Sequence, residues 1–247
     1  MSKNILITNY EIAHYSGSEI NASTIAKRMK ELGYTVYIAS LNFDEPLFLD
    51  VRKNFDVCIN LQNDNFNFEE IEFDYVWSHH FFLLDWLIFE KGLKAKKIIY
   101  SSLSGKEYFE APPIYANDLN LVLANSPETQ EQLIKDGIRN TYLFENYSFL
   151  EYFERNIEVK ELKNIAIVSN HIPEELYEAK KILQDKGFNV QVYGIDGKQE
   201  LITDKILEKY DVIISIGKTV QYAMSLKIPI YIYDRFGRIR IFKNEQY

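Results

Sequence analysis

The chain has 247 residues, of which 47% are hydrophobic and 26% charged, and carries a formal net charge of −8. It is long enough for two average domains or one large α/β domain, and its composition excludes a disordered or low-complexity protein. The acidic balance excludes broad nucleic-acid binding, which needs Lys and Arg on many phosphates.

The amino-terminal stretch MSKNILITNYEIAHYSGSEI runs from a charge directly into a short strand, without the long apolar core of a secretory signal. Further strand-like runs follow as TVYIASL, DVCINL, DYVWSHH, KIIYSSL, LVLANS and TYLFENY. A helix is predicted between the first two strands, in INASTIAKRMKELGY: Ile20, Ile25, Met29 and Leu32 recur near helical spacing, and Gly33 supplies the stop. The single cysteine, Cys58, can form no internal disulfide and is expected in the core. The longest apolar cluster, HHFFLLDWLIFEKG, is broken by Asp85 and is far shorter than the ~20 residues of a membrane span. A cytoplasmic protein is expected.

The pattern then restarts with NIAIVSN, PEELYEAKKILQDKG, NVQVYG, DKILEKYD, VIISIG, TVQYAMSLK and IPIYIYD. Strands alternating with helices predict βαβ units and parallel sheets covered on both faces. Between the two series lies the charged stretch Ser148 to Lys163, expected as a linker or crossing helix. The predicted fold class is α/β, with two Rossmann-like parallel-sheet domains over 1–161 and 162–247 and a cleft between them.

In open parallel sheets, ligands bind beyond the carboxyl ends of strands, where helix amino termini attract anions. After the first strand, Gly17 permits a tight turn, and Ser16, Ser18 and nearby amides are candidates for a phosphate or a sugar hydroxyl. The structural alternative is a capped turn with Ser18 as N-cap. After the fourth strand, His79 and His80 are candidates for ligand binding or proton transfer. In the second series, Ser169, Asn170 and His171 lie after the first strand, where a plain helix start with Pro173, Glu174 and Glu175 is the alternative. The strongest local signal is SIGKTVQYA: Gly217 allows close backbone approach, Lys218 supplies charge, and Thr219 can cap or donate. A plain strand-to-helix turn remains open there too.

The G-x-x-x-x-G-K-[ST] loop, the G-x-S-x-G elbow and the full G-x-G-x-x-G fingerprint are all missing, which removes hydrolase and dehydrogenase readings. Adjacent histidines do not make a helical ligand pair, and no Cys or carboxylate cluster has metal-site spacing. No metal and no cofactor are expected.

In NILITNY…YSGSEINASTIAKRMKELGYTVYIAS, FDYVWSHH, LVLANSPETQEQL and YLFENY, taken in this order, the chain resembles bacterial GT-B glycosyltransferases of the family 4-like type. Its GKTVQYA followed by P-x-Y-x-Y-D-x-F-G resembles a less-studied branch of them. The resemblance implies transfer of a sugar from a nucleotide-sugar donor, held mostly by the carboxyl domain, to a glycan or lipid-linked acceptor held mostly by the amino domain. It implies Gly17 near the diphosphate, His79 or His80 near the reacting sugar, and Gly217 to Thr219 at the donor phosphates. Tyr222 stands where better-known members carry a donor-contacting glutamate. The resemblance also implies surface-polysaccharide synthesis, a peripheral membrane contact, and further strand–helix units after D-x-F-G. The second domain is therefore expected to be cut short, with either self-association through the carboxyl half or a visibly incomplete domain whose donor cleft is open on one side. Arg238 and Arg240 are phosphate candidates or solvated tail charges. A non-catalytic sugar-nucleotide or partner-binding remnant and a sugar-nucleotide epimerase are the competing functions.

Overall fold

The computed structural model describes residues 3–104, 108–149, 152, 161–233 and 240–242, the last three as backbone only. The chain divides into two compact units, Met1–Glu145 and Asn146–Tyr247.

In the first unit the elements are β1 (Asn4–Thr8), β2 (Glu11–Ile12), α1 (Gly17–Glu31), β3 (Thr35–Ser40), β4 (Asn42–Phe43), α2 (Leu47–Val51) and β5 (Val57–Asn60). They continue with β6 (Glu72–Phe73), β7 (Tyr75–Ser78), α3 (Phe81–Phe89), β8 (Lys94–Ala95), β9 (Ile98–Ser102), β10 (Leu121–Ala124), α4 (Pro127–Lys135) and β11 (Thr141–Leu143). Among the described residues, seven strands form one sheet in the order β11-β10-β9-β7-β1-β3-β5, and its pairings are all parallel.

Alternation along β1 explains the two layers of helices. Leu6 faces a core with Val76, Tyr100 and Val122 that takes Leu83, Leu84 and Leu87 of α3 and Leu133 of α4. Its neighbours Ile5 and Ile7 face the other core, with Val36 and Ile38, which takes Ala22, Ile25 and Ala26 of α1 and Leu47 and Val51 of α2. A strand buried on both sides is apolar at nearly every position, and β1 reads that way over Ile5, Leu6 and Ile7. The buried stripe of α1 is shorter than the periodicity predicts: Leu32 is 56% exposed, and two alanines let the helix sit close to the sheet.

The second unit contains β12 (Asn164–Val168), α5 (Glu174–Asp185), β13 (Asn189–Tyr193), α6 (Asp204–Leu207), β14 (Val212–Ser215), α7 (Lys218–Ser225), β15 (Ile230–Ile232) and β16 (Arg240–Phe242). The sheet order among the described residues is β13-β12-β14-β15-β16, parallel except for the antiparallel pairing of β15 with β16. Ile165 and Ile167 face Leu176 of α5, whereas Ala166, Ile213 and Ile230 pack with Leu207 of α6, Val220 and Ala223 of α7, and Leu226 just after it. Both units are thus doubly wound α/β sheets of Rossmann type.

Two expectations are corrected here. The compact units meet at Glu145/Asn146, not at 161/162, because Phe149 and Tyr152 pack on Tyr222 and belong to the second core. Most of the supposed linker, 150–151 and 153–160, lies outside the described residues. The edge expected to stand open after IPIYIYD is paired: Arg240 sits opposite Ile232 and Phe242 opposite Ile230. Arg238 lies outside the described residues. No helix among those residues is long and apolar enough to cross a membrane.

Candidate functional site

Each sheet has one place where the strand order reverses direction, and the loops diverge there to leave a crevice beyond the carboxyl ends. In the first unit it lies between β1 and β7, in the second between β12 and β14. The predicted site residues fall at these two positions.

At the β1–β7 edge, Thr8 and Ser78 are directly paired, and the Thr8 hydroxyl donates to Ser78 Oγ at 2.8 Å in the buried interior. His79 is fully buried. Its Nδ1 lies 3.4 Å from the Thr8 carbonyl and its Nε2 3.2 Å from Asn21 Nδ2 on α1. Since a carbonyl can only accept, Nδ1 carries the proton and Nε2 accepts from the Asn21 amide. The ring ties β7 to β1 and α1. This is a positioning role, and it corrects the expectation of a catalytic His79 in contact with substrate.

His80 differs. Its Nδ1 accepts from the Tyr10 N–H at 3.2 Å, so the neutral ring carries its proton on Nε2, which has no partner among the described residues. Burial pushes its pKa down to about 4. So weak a base is poorly matched to general base catalysis at neutral pH, and the ring offers instead a neutral N–H donor.

This shift has a consequence for stability. Between pH 6.5 and 4 the unfolded chain binds a proton that the native ring does not, so the contribution is complete above 6.5 and is lost as pH falls through that window. Between pH 7 and 4.5, the wild type should lose about 2 kcal/mol more than His80→Gln in denaturant titrations. Equal losses would show that the ring is charged in the folded protein.

The loop leading into α1 is held by a carboxylate from the first turn of the helix. The side chain of Glu19, 2% exposed, turns back so that Oε2 accepts from the backbone N–H groups of Ala13 (2.5 Å) and His14 (2.8 Å), while Oε1 accepts from the Ser16 hydroxyl at 2.8 Å. Burial outweighs these bonds and holds its pKa above the usual carboxylate value. The N-cap is Ser16, not Ser18, and its hydroxyl serves Glu19 rather than a helix amide. Gly17 is exposed, with open space where a Cβ would stand. The carboxylate holds the amides of Ala13 and His14, which precede Ser16, Gly17 and Ser18, and a phosphate role for those three residues is a proposal.

Ser169 and Ile216 continue the paired ends of β12 and β14, and the Ser215 hydroxyl donates across to the Val168 carbonyl at 2.7 Å. Ser169 Oγ accepts from the His171 N–H at 3.1 Å, and His171 itself is exposed. Gly217 has φ +64 and no atom within 4 Å of a would-be Cβ, and α7 begins at the next residue. The fold therefore brings Ser169, Asn170 and His171 to the strand end next to that of Gly217, Lys218 and Thr219.

Lys218 is the outlier of the unit. Its Nζ is out of contact with solvent and lacks a hydrogen-bond partner among the described residues, and it lies 4.5 Å from the ring centroid of Tyr147. Burial lowers its pKa to about 8. Gln221 Oε1, one turn further along α7, and Ser148 Oγ are likewise buried without hydrogen-bond partners among the described residues. Sequence reasoning missed both: Gln221 lies inside SIGKTVQYA but was not singled out, and Ser148 lies in the stretch read as a linker. Tyr222, by contrast, is 4% exposed, with ring centroids of Phe149 at 5.6 Å and Tyr152 at 5.4 Å. Its expected donor contact is corrected: it is a core residue. Among the described residues no group of three or more His, Cys, Asp or Glu could hold a metal ion.

No family model and no curated protein sequence matches the chain. Solved structures do. The crystal structure of a glycosyltransferase from Rickettsia africae is similar with a TM-score of 0.61 at 15% identity, over 94% of this chain and 79% of its own. A mutant of S. aureus TarM in complex with fondaparinux, α-GlcNAc-glycerol and UDP gives a TM-score of 0.47 at 13% identity, over 66% and 42%, too distant to carry an argument. The first likeness, with the two doubly wound sheets, shows the GT-B-like fold.

Proposed function

We propose that the chain is a glycosyltransferase of the GT-B, family 4-like type, which takes the diphosphate of a nucleotide sugar at Gly217–Thr219. In this reaction the bond from the anomeric carbon to the diphosphate oxygen breaks, a bond to an acceptor hydroxyl oxygen forms, and the hydroxyl proton is released. The acceptor is a glycan or a lipid-linked glycan of surface polysaccharide synthesis.

The observation that carries the reading is the buried ammonium of Lys218 at the first position of α7, which has no hydrogen-bond partner among the described residues. A cation there is disfavoured by desolvation and by the helix dipole together, and one bound anion relieves both. Resemblance in fold to a glycosyltransferase supports the same reading. The buried, weakly basic His80 favours a second one, a sugar-nucleotide-binding protein without turnover.

Isothermal titration with nucleoside diphosphates and the matching nucleosides, followed by transfer of radiolabelled sugar to glycan acceptors, separates the two. Diphosphates binding more tightly than nucleosides, with label transferred, is the expected result. Binding without transfer selects the second reading, and no preference for diphosphates overturns the site.

A further inference from the structure

Four aromatic side chains follow one another across the carboxyl edge of the first sheet. Tyr10, after β1, meets Phe82 of α3 at 5.6 Å between ring centroids; Phe82 meets Phe109 at 5.8 Å; and Phe109 meets Tyr108 at 5.9 Å. All three contacts are edge-to-face, the arrangement rings adopt without stacking on one another. Tyr10, Tyr108 and Phe109 are 46%, 72% and 60% exposed. Such a run of exposed rings marks an interaction site.

The string is held in place from below. The segment carrying Tyr108 and Phe109 is tied to β9 by two buried hydroxyls: Ser102 donates to the Glu110 carbonyl at 3.0 Å and Tyr100 to the Ala111 carbonyl at 2.6 Å. His80 sits against its other end, 6.4 Å from Tyr10 and 6.0 Å from Phe82 between ring centroids. Its Nε2–H and the hydroxyls of Tyr10 and Tyr108 have no partner among the described residues.

We propose that this string is a stacking subsite for an uncharged glycan, with the Nε2–H of His80 donating to one of its hydroxyls. A pyranose ring presents an apolar C–H face beside hydroxyls that both donate and accept, matching flat rings with unpaired polar groups at their rim. An acyl chain would leave those groups unpaired, and a net charge of −8 opposes an anionic lipid surface. No side chain of the string carries a charge to recognise an ionic ligand. That the glycan is the acceptor rests on the transferase reading, whereas its binding does not.

Full-length protein is screened by saturation-transfer NMR against uncharged gluco-, galacto-, manno- and N-acetylhexosamine oligosaccharides, and the best is titrated into wild type, Tyr108→Ala, Phe109→Ala and Phe109→Leu. The expected result is saturation of ring C–H protons, with affinity lowered about tenfold by Phe109→Ala and not restored by Phe109→Leu, which keeps apolar bulk without a ring. Failure of every oligosaccharide to bind overturns the proposal, as does full affinity in the leucine variant. Binding to phosphatidylglycerol vesicles that Phe109→Ala abolishes, in place of glycan binding, assigns the surface to a membrane instead. No donor enters the experiment, so a chain that binds glycans and transfers nothing fails only as an enzyme.

Discussion

Lys218→Met should make the protein more stable and a poorer ligand for nucleoside diphosphates. The Lys218 stem is partly exposed while Nζ is not, and burial lowers its pKa from 10.5 to about 8. Between those two values the unfolded chain holds a proton that the native chain has lost, so native stability rises with pH from 8 to 10.5. Below pH 8 the charge is carried at a cost of about 3 kcal/mol at most, and solvent around the stem reduces it. Methionine keeps the apolar stem beside Tyr147 and removes the charge. Denaturant titrations at pH 7 should therefore show a gain of about 1–3 kcal/mol, and the rise above pH 8 should flatten. Diphosphate affinity should fall roughly tenfold or more, because a charge-assisted contact is lost, while nucleoside affinity stays constant. A stabilised variant that still binds diphosphates as before would mean that Lys218 is buried for packing alone.

Gly194→Ala should be the most destabilising single-methyl change in the second unit. Gly194 has φ +127, and an added Cβ would stand 2.0 Å from the Ser169 carbonyl oxygen and 2.7 Å from its carbon. Both are backbone atoms, which cannot rotate away. The clash falls on the β12 end of the candidate site, where the Ser169 N–H donates to the Tyr193 carbonyl at 3.0 Å. Strain and displacement together should cost roughly 3–5 kcal/mol, seen as a lower urea midpoint for the transition of this unit. Gly217→Ala is the control: its φ of +64 is equally unfit for alanine, but no atom lies within 4 Å, so backbone strain of about 1–3 kcal/mol is all it should add. Equal costs at the two positions would show that the contact with Ser169 relaxes freely.

The sequence by itself determined the two series of strands and helices, and hence the class. In NILIT and NIAIV an apolar residue at nearly every position is the mark of a strand covered on both faces, and helices between such strands demand parallel pairing. It also located the strand ends that carry the candidate residues, because HH follows β7 directly and GKT follows β14 after one residue. What each residue does there was decided by the tertiary structure. His79 and His80 are neighbours in sequence with the same chemistry, yet one is locked between Thr8 and Asn21 and the other borders an exposed aromatic string. Glu19 reads as an ordinary first-turn acid and instead turns back to hold the amides of Ala13 and His14. Tyr222 stands in the motif but is claimed by Phe149 and Tyr152 from outside it. Burial and partner choice are properties of residues far apart in the chain, and local pattern carries no information about them. The buried charge of Lys218 is the same case: the sequence shows a lysine after a glycine, and only the packing around it buries its ammonium beside Tyr147 with no hydrogen-bond partner among the described residues.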